Sequence, residues 1–220
     1  MSLTLYYHPL SSYCWKVLVA LYENDTAFTP LLVNLGEEAS SAAFKKVWPI
    51  GKFPVVRDEA KGKTIPESTT IIEYLDQHYP GAVALIPPDA DAARETRLRD
   101  RFFDLHVHTP MQKIVGDRIR AADKKDPFGV EQARAQLAVA LGMVEEDFAS
   151  KTGAAKTWAM GDNFTMADCA ASPALYYANL VAPFSATHKY TAAYLGRLLE
   201  RPSFARTVRE AEPYKHFFPT

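Results

Sequence analysis

Cysteine is scarce in this chain: Cys14 and Cys169 are the only two in 220 residues. Two thiols cannot make a disulfide scaffold, so packed apolar side chains have to hold the fold. Charge of one sign is lacking too, because 25 Lys+Arg stand against 26 Asp+Glu and the formal net charge is −1. That balance argues against nucleic acid as the main partner, since phosphate binding usually leaves a basic excess. No apolar run reaches ~18 residues, so no membrane span is expected. The N-terminus, Met1-Ser2-Leu3-Thr4-Leu5-Tyr6-Tyr7-His8-Pro9, has no basic stretch followed by an apolar one, so no signal peptide is expected. Internal repeats and low-complexity tracts are also missing. What is present is an ordinary globular composition, 48% hydrophobic and 23% charged. It excludes disorder as the dominant state. At roughly 150 residues per domain the length suits one large domain or two small ones. The expectation is a reduced, cytoplasmic protein.

The first 80 residues mix two periodicities. Leu3-Thr4-Leu5-Tyr6-Tyr7 is a β-prone run closed by His8-Pro9. Cys14, Val17, Leu18 and Leu21 then recur at the spacing of an amphipathic helix, with Ser11 or Ser12 at its N-cap. Strands are predicted at 28–33, at 53–57 and near Thr64-Ile65, and a helix after Pro66-Glu67-Ser68 carries Ile71, Ile72 and Leu75. The order is βαβ, a connecting stretch, then ββα. Tyr79-Pro80-Gly81 ends this unit, and residues 81–91, including Ile86-Pro87-Pro88, read as a semi-rigid linker. From residue 92 to 220 strand signals fade. Helical stretches are expected at about 92–122, 128–149, 167–180 and 188–210, the first kinked at Pro110 and the last broken at Pro202.

Three segments carry candidate chemistry. In Tyr7-His8-Pro9-Leu10-Ser11-Ser12-Tyr13-Cys14, a hydroxyl opens a helix among unsatisfied N–H groups at the positive end of the macrodipole. That place suits an anion such as a thiolate, although an N-cap alone also explains it. In Pro49-Ile50-Gly51-Lys52-Phe53-Pro54-Val55, a proline opens a strand. A cis bond there would turn the Phe53 N–H and C=O outward, toward an extended ligand. In Pro66-Glu67-Ser68-Thr69, helix-opening amides and the Ser68 hydroxyl suit a carboxylate, while Glu67 suits an ammonium.

In this order the segments resemble the glutathione-binding half of the cytosolic glutathione transferases. The matches are Tyr-Tyr-x-Pro-x-Ser-x-x-Cys at 6–14, Pro-x-Gly-Lys-x-Pro at 49–54, and Glu67-Ser68. Gly161-Asp162-Asn163-Phe164-Thr165-Met166-Ala167-Asp168 is similar to that family's helix-capping signature, with Thr165 as N-cap and Asp168 as the capping-box carboxylate. The resemblance implies an α/β thioredoxin-like N-terminal domain (1–80) and an all-α C-terminal domain (92–220). It also implies glutathione as cosubstrate and a homodimer, and His106 and His108, two apart on a helix, make no pair for a metal, so no metal is expected.

By the same resemblance, the thiol is activated by a hydroxyl. A free thiol near pKa 8.5 is only about 3% ionised at pH 7, so the task is to stabilise thiolate. Ser11 stands where serine-type members carry their catalytic hydroxyl, Ser12 is its neighbour, and Tyr7 matches the tyrosine-type position. Cys14 sits at the second-cysteine position of a thioredoxin-like Cys-x-x-Cys whose first cysteine is Ser11, and it falls on the apolar stripe, so it reads as structural. Lys52, Phe53, Pro54, Glu67 and Ser68 are implied glutathione contacts. Phe103, His106 and Pro110 are implied to line the electrophile pocket, with Phe102 and Met111 nearby. Arg94, Arg97, Arg99 and Arg101 read as a solvated or subunit-facing surface with Glu95, Asp100 and Asp104. Ser11-Ser12 followed by Trp15-Lys16-Val17 also resembles the zeta-type stretch, which implies a glutathione-dependent isomerase of maleyl compounds as an alternative. A non-catalytic binding or regulatory protein is the other.

Overall fold

The computed structural model describes residues 2–149, 156–184 and 186–219, which form two compact units. One comprises Met1–Ile86 with Pro202–His216, the other Pro87–Arg201 with Phe217–Thr220. Residues 150–155, inside the expected helical half, lie outside the described residues.

The first unit runs β1 (Leu3–Tyr7), α1 (Ser12–Glu23), β2 (Thr29–Leu32), α2 (Glu38–Val47), β3 (Val55–Asp58), β4 (Lys63–Pro66) and α3 (Ser68–His78). The sheet order is β2-β1-β3-β4, with β1 and β2 parallel and the other pairs antiparallel, a thioredoxin-like arrangement. Leu3 and Leu5 alternate into the core along β1, and α1 buries Cys14, Trp15, Val17, Leu18 and Leu21. α3 buries Ile71, Ile72 and Leu75. The connecting stretch holds a helix the periodicity did not predict. Phe44 is the only buried residue of α2, so no apolar stripe marks it. Phe44 packs with Val33 and Val55 in a small cluster edged by Tyr6, Trp48 and Phe53.

The second unit is helical: α4 (Ala90–Phe102), a π-helical segment (Phe103–His108), α5 (Thr109–Arg118), α6 (Pro127–Ala149), α7 (Met166–Val181) and α8 (Lys189–Glu200). The single helix expected over 92–122 is interrupted by the π segment, where Thr109 N–H bonds Asp104 C=O. Pro110 lacks an N–H and its ring crowds the carbonyl four residues back, which the wider turn relieves. Asp100 and Asp104 are buried, which corrects their expected place on a solvated face, and Arg101 pairs with both. Arg99 bonds Asp147 at 2.7 Å and Glu95 at 3.1 Å. No helix among the described residues is long and apolar enough to cross a membrane.

The last helix, α9 (Pro202–Ala211), belongs to the first unit, so the expected helical half of 92–220 is divided at Arg201. Its buried Phe204 meets Trp15 edge-on at 5.9 Å, and Glu210 accepts from the Tyr22 hydroxyl at 2.6 Å. The Arg206 guanidinium lies 3.9 Å from the Tyr22 ring centre. α9 thus covers α1, and the 3-10 turn after it brings Tyr214 beside His8.

Candidate active site

Strand register gathers the three motif segments. Tyr6 pairs with Val55, and Val55 pairs with Pro66, so the exit of β1, the entry of β3 and the exit of β4 form one row across the sheet. At about 4.8 Å per strand, the row spans about 10 Å from β1 to β4. The β1–α1 loop, Phe53-Pro54 and Glu67-Ser68 all leave from that edge.

The β1–α1 loop is a tight turn in which Ser11 N–H bonds His8 C=O at 3.0 Å. The indole of Trp15 donates to Pro9 C=O at 2.5 Å, and Leu10 N–H donates to His8 Nδ1 at 3.2 Å. Ser11 is the N-cap of α1, with its Oγ accepting from Cys14 N–H at 3.3 Å. A hydroxyl that accepts one bond still has its proton to give. Ser12 is buried as the first helical residue. Burial, with Tyr214, Glu210 and Cys14 adding to it, pushes the half-buried Tyr7 phenol up, which makes it a poorer donor to a thiolate. Cys14 is wholly buried, and burial raises its thiol to about 12, outweighing the neighbouring Ser11 side chain and His8 backbone, which pull it down. At pH 8 only about 1 in 10⁴ of such thiols is ionised. Iodoacetamide at pH 8 should therefore leave Cys14 unlabelled in the folded chain and label it in denaturant. Rapid native labelling, read by mass spectrometry, would make Cys14 a reactive thiol instead.

Along the same edge, the Phe53–Pro54 peptide is cis, Pro54 is buried, and β3 starts only at Val55, so the Phe53 backbone lies outside the ladder. Phe53 is half-buried with its ring on His8, and Lys52 is exposed. Glu67 is the N-cap of α3 at φ +70°, a region costing an L residue about 1–3 kcal/mol. Its side chain makes no cap bond, while its carbonyl accepts from Ile71 N–H at 2.8 Å. Ser68 is buried at the start of the helix. Lys16, 0% exposed, donates from Nζ to Thr69 Oγ1 at 2.9 Å. A lysine fixed at a helix N-terminus adds positive potential to amides already suited to a carboxylate. Sequence reasoning missed this role of Lys16, since nothing in a lysine's spacing announces full burial. It also passed over His8, whose place in a turn with Pro9 and Ser11 was the available signal.

The three residues implied for an electrophile lie in the helical unit. Phe103 and Pro110 are buried, whereas His106 is exposed against Phe102 at 5.6 Å between ring centres. His106 and Pro110 line a cavity of about 240 Å³ with Leu105, Val139 and Met143. Phe102 and Phe103 line one of about 310 Å³ with Leu98, Met143 and Phe148. Thr165 and Asp168 form a capping box at the start of α7. The Asp168 carboxylate accepts from Thr165 N–H at 2.9 Å, Ala159 N–H at 2.8 Å and the Tyr194 hydroxyl at 2.6 Å. No group of three His, Cys, Asp or Glu among the described residues is placed to hold a metal.

A thioredoxin-like sheet with a proline loop and two helix N-termini at one edge, followed by a helical unit, defines the class of fold. The chain belongs to the glutathione S-transferase family: residues 5–83 match the family's N-terminal domain and 127–202 its C-terminal domain. It is 29% identical over 175 residues to a probable maleylacetoacetate isomerase of Caenorhabditis elegans, covering 80% of this chain and 78% of that one. It is 22% identical over 213 residues to a stringent starvation protein A homolog of Histophilus somni, covering 96% and 92%. A crystal structure of a glutathione S-transferase from Methylobacillus flagellatus KT with GSH bound superposes with a TM-score of 0.82 at 25% identity, over 94% of this chain and 98% of that one.

Proposed function

We propose that the protein is a glutathione transferase that binds glutathione along the β1–β3–β4 edge and activates its thiolate against small apolar electrophiles, working as a homodimer. The observation that carries the reading is Ser11: a partly exposed N-cap hydroxyl with a proton left to donate, at the positive end of α1. Tyr7 is held up by burial and Ser12 is buried, which favours Ser11 over both. An extended tripeptide measures about 10 Å, the width of the row. On this reading the Ser11 hydroxyl meets the sulfur and the Phe53 backbone pairs with the peptide. Ser68, with the α3 amides and Lys16 behind them, holds the γ-glutamyl carboxylate. Glu67 holds its ammonium, and Lys52 neutralises the glycine carboxylate. Of the candidate acceptor residues, His106 is the exposed one.

The test is to titrate the thiol of glutathione on the protein, following thiolate absorbance from pH 5 to 9. A bound thiol ionising well below its free value supports the reading. No binding, or an unshifted thiol, sinks it and favours a non-catalytic binding or regulatory protein. Glu67→Gly supplies an independent check. Relief of the positive φ should leave stability unchanged or raised by up to about 1 kcal/mol, while the KM for glutathione rises. A loss of stability with unchanged KM would remove Glu67 from the site.

The relatives named maleylacetoacetate isomerases favour a second reading, in which the thiolate adds to a cis double bond and leaves again after rotation. Turnover of a cis-enedioic acid with glutathione recovered unchanged distinguishes it from transfer.

A further inference from the structure

His8 shares its turn with Ser11, so the two α-carbons lie within about 7 Å of each other. Its ring is held from three directions. Leu10 N–H donates to Nδ1, Phe53 stacks on it at 5.9 Å and 17°, and Tyr214 meets it edge-on at 6.4 Å. An Nδ1 that accepts leaves the proton on Nε2, on the far side of the ring from the turn. Among the described residues nothing hydrogen-bonds to Nε2. Partial burial lowers the imidazole pKa, which favours the uncharged ring.

We propose that His8 is a second catalytic residue of this site, its Nε2–H donating a hydrogen bond to the carbonyl oxygen of a conjugated acceptor as a thiolate adds to it. The proposal rests on the glutathione reading above. In the step, the sulfur lone pair forms a C–S bond at the β-carbon. The C=C π pair moves to the α-carbon and carbonyl, and the oxygen takes the charge as an enolate. His8 keeps its proton and stabilises that oxygen, and water later protonates the α-carbon. A donor aimed at charge that develops only in the transition state raises turnover rather than binding.

The experiment compares two acceptors, trans-4-phenyl-3-buten-2-one, which forms an enolate, and 4-nitrobenzyl chloride, which expels chloride. The variants are His8→Phe, which keeps the stacking, and His8→Gln, which keeps a donor near Nε2. A good oxyanion donor is worth about 10²–10³ in turnover. For a half-exposed one, His8→Phe should lower enone turnover at least about tenfold more than chloride turnover, and His8→Gln should recover part of it. The pKa of bound glutathione should be the same in all three proteins. Equal losses on both acceptors, or a raised thiol pKa in His8→Phe, would overturn the role, because His8 would then be serving the fold or the sulfur. If wild type binds glutathione normally and turns over both acceptors but His8→Phe shows no split between them, only the His8 role falls. If it binds none, or turns over neither acceptor, both readings fall. Nitrogen NMR of wild-type His8 at pH 7 is independent of how the variants fold. The Nε2–H neutral tautomer supports the proposal, and the Nδ1–H form or the imidazolium overturns it.

Discussion

Replacing Ser11 with alanine should raise the thiol pKa of bound glutathione by about one to two units and cut turnover at pH 6.5 about 10- to 100-fold. A hydrogen bond to a charged group contributes about 1.5–3 kcal/mol, and one pKa unit is about 1.4 kcal/mol. The sign follows from which form the bond favours. On the proposed reading Ser11 stabilises the thiolate, so losing it favours the thiol and moves the rising limb of the pH–rate curve to higher pH. Near pH 9 the variant should regain much of its activity, because thiolate then forms without help. The α1 N-terminus still supplies its dipole, which is why the shift stops short of total loss. Ser11 is also a cap to Cys14 N–H, so the variant should lose about 1 kcal/mol of stability and still fold. Ser11→Thr, which keeps a hydroxyl, should restore part of the limb. Full activity at pH 6.5 with normal glutathione binding would pass the role to Tyr7, to be tested with Tyr7→Phe.

The elements that could be read from sequence are those whose apolar spacing is dense. α1, α3, α6 and α7 were expected within a few residues of their observed bounds, because each buries a run of aliphatic or small side chains. α2 was invisible because Phe44 is its only anchor. The π segment at Phe103–His108 has no compositional mark beyond Pro110 two residues past its end, and helix propensity does not separate π from α. α9 was visible as a helix after Pro202, but an amphipathic stripe says that a face is buried without saying against what. Its Phe204, Thr207 and Ala211 are buried in the first unit rather than the helical one. The site follows the same logic. Its motifs and their order stand in the sequence, whereas their convergence depends on the pairing Tyr6–Val55–Pro66, which is a property of register.

Asp168→Ala should destabilise the helical unit by about 3–5 kcal/mol and lower its melting temperature by roughly 10 °C. Asp168 is fully buried and answers Thr165 N–H, Ala159 N–H and the Tyr194 hydroxyl. Removing it leaves these three buried donors, and the Thr165 hydroxyl at 3.2 Å, without their acceptor, each costing about 1–3 kcal/mol, offset in part by losing a buried charge. Burial raises the carboxyl's pKa, outweighing the bonds from Ala159, Tyr194 and Thr165 that pull it down. The folded form therefore holds this proton more tightly than the unfolded chain does. As pH rises from the ordinary carboxylate range through the raised folded value, ionisation of Asp168 subtracts stability. Asp168→Asn removes that titration, so wild type should lose stability across the window where the Asn variant stays flat. Asn still accepts from one amide, but its own N–H₂ faces another donor, so it should fall between wild type and Ala. Tyr194 stacks on Phe148 at 4.1 Å, and Tyr194→Phe keeps that packing while removing one donor. Adding Tyr194→Phe to Asp168→Ala should then cost less than the two single changes summed, because no hydroxyl is left stranded. Strict additivity, or a melting temperature of Asp168→Ala within 2 °C of wild type, would mean that packing of α7 holds the unit without the network.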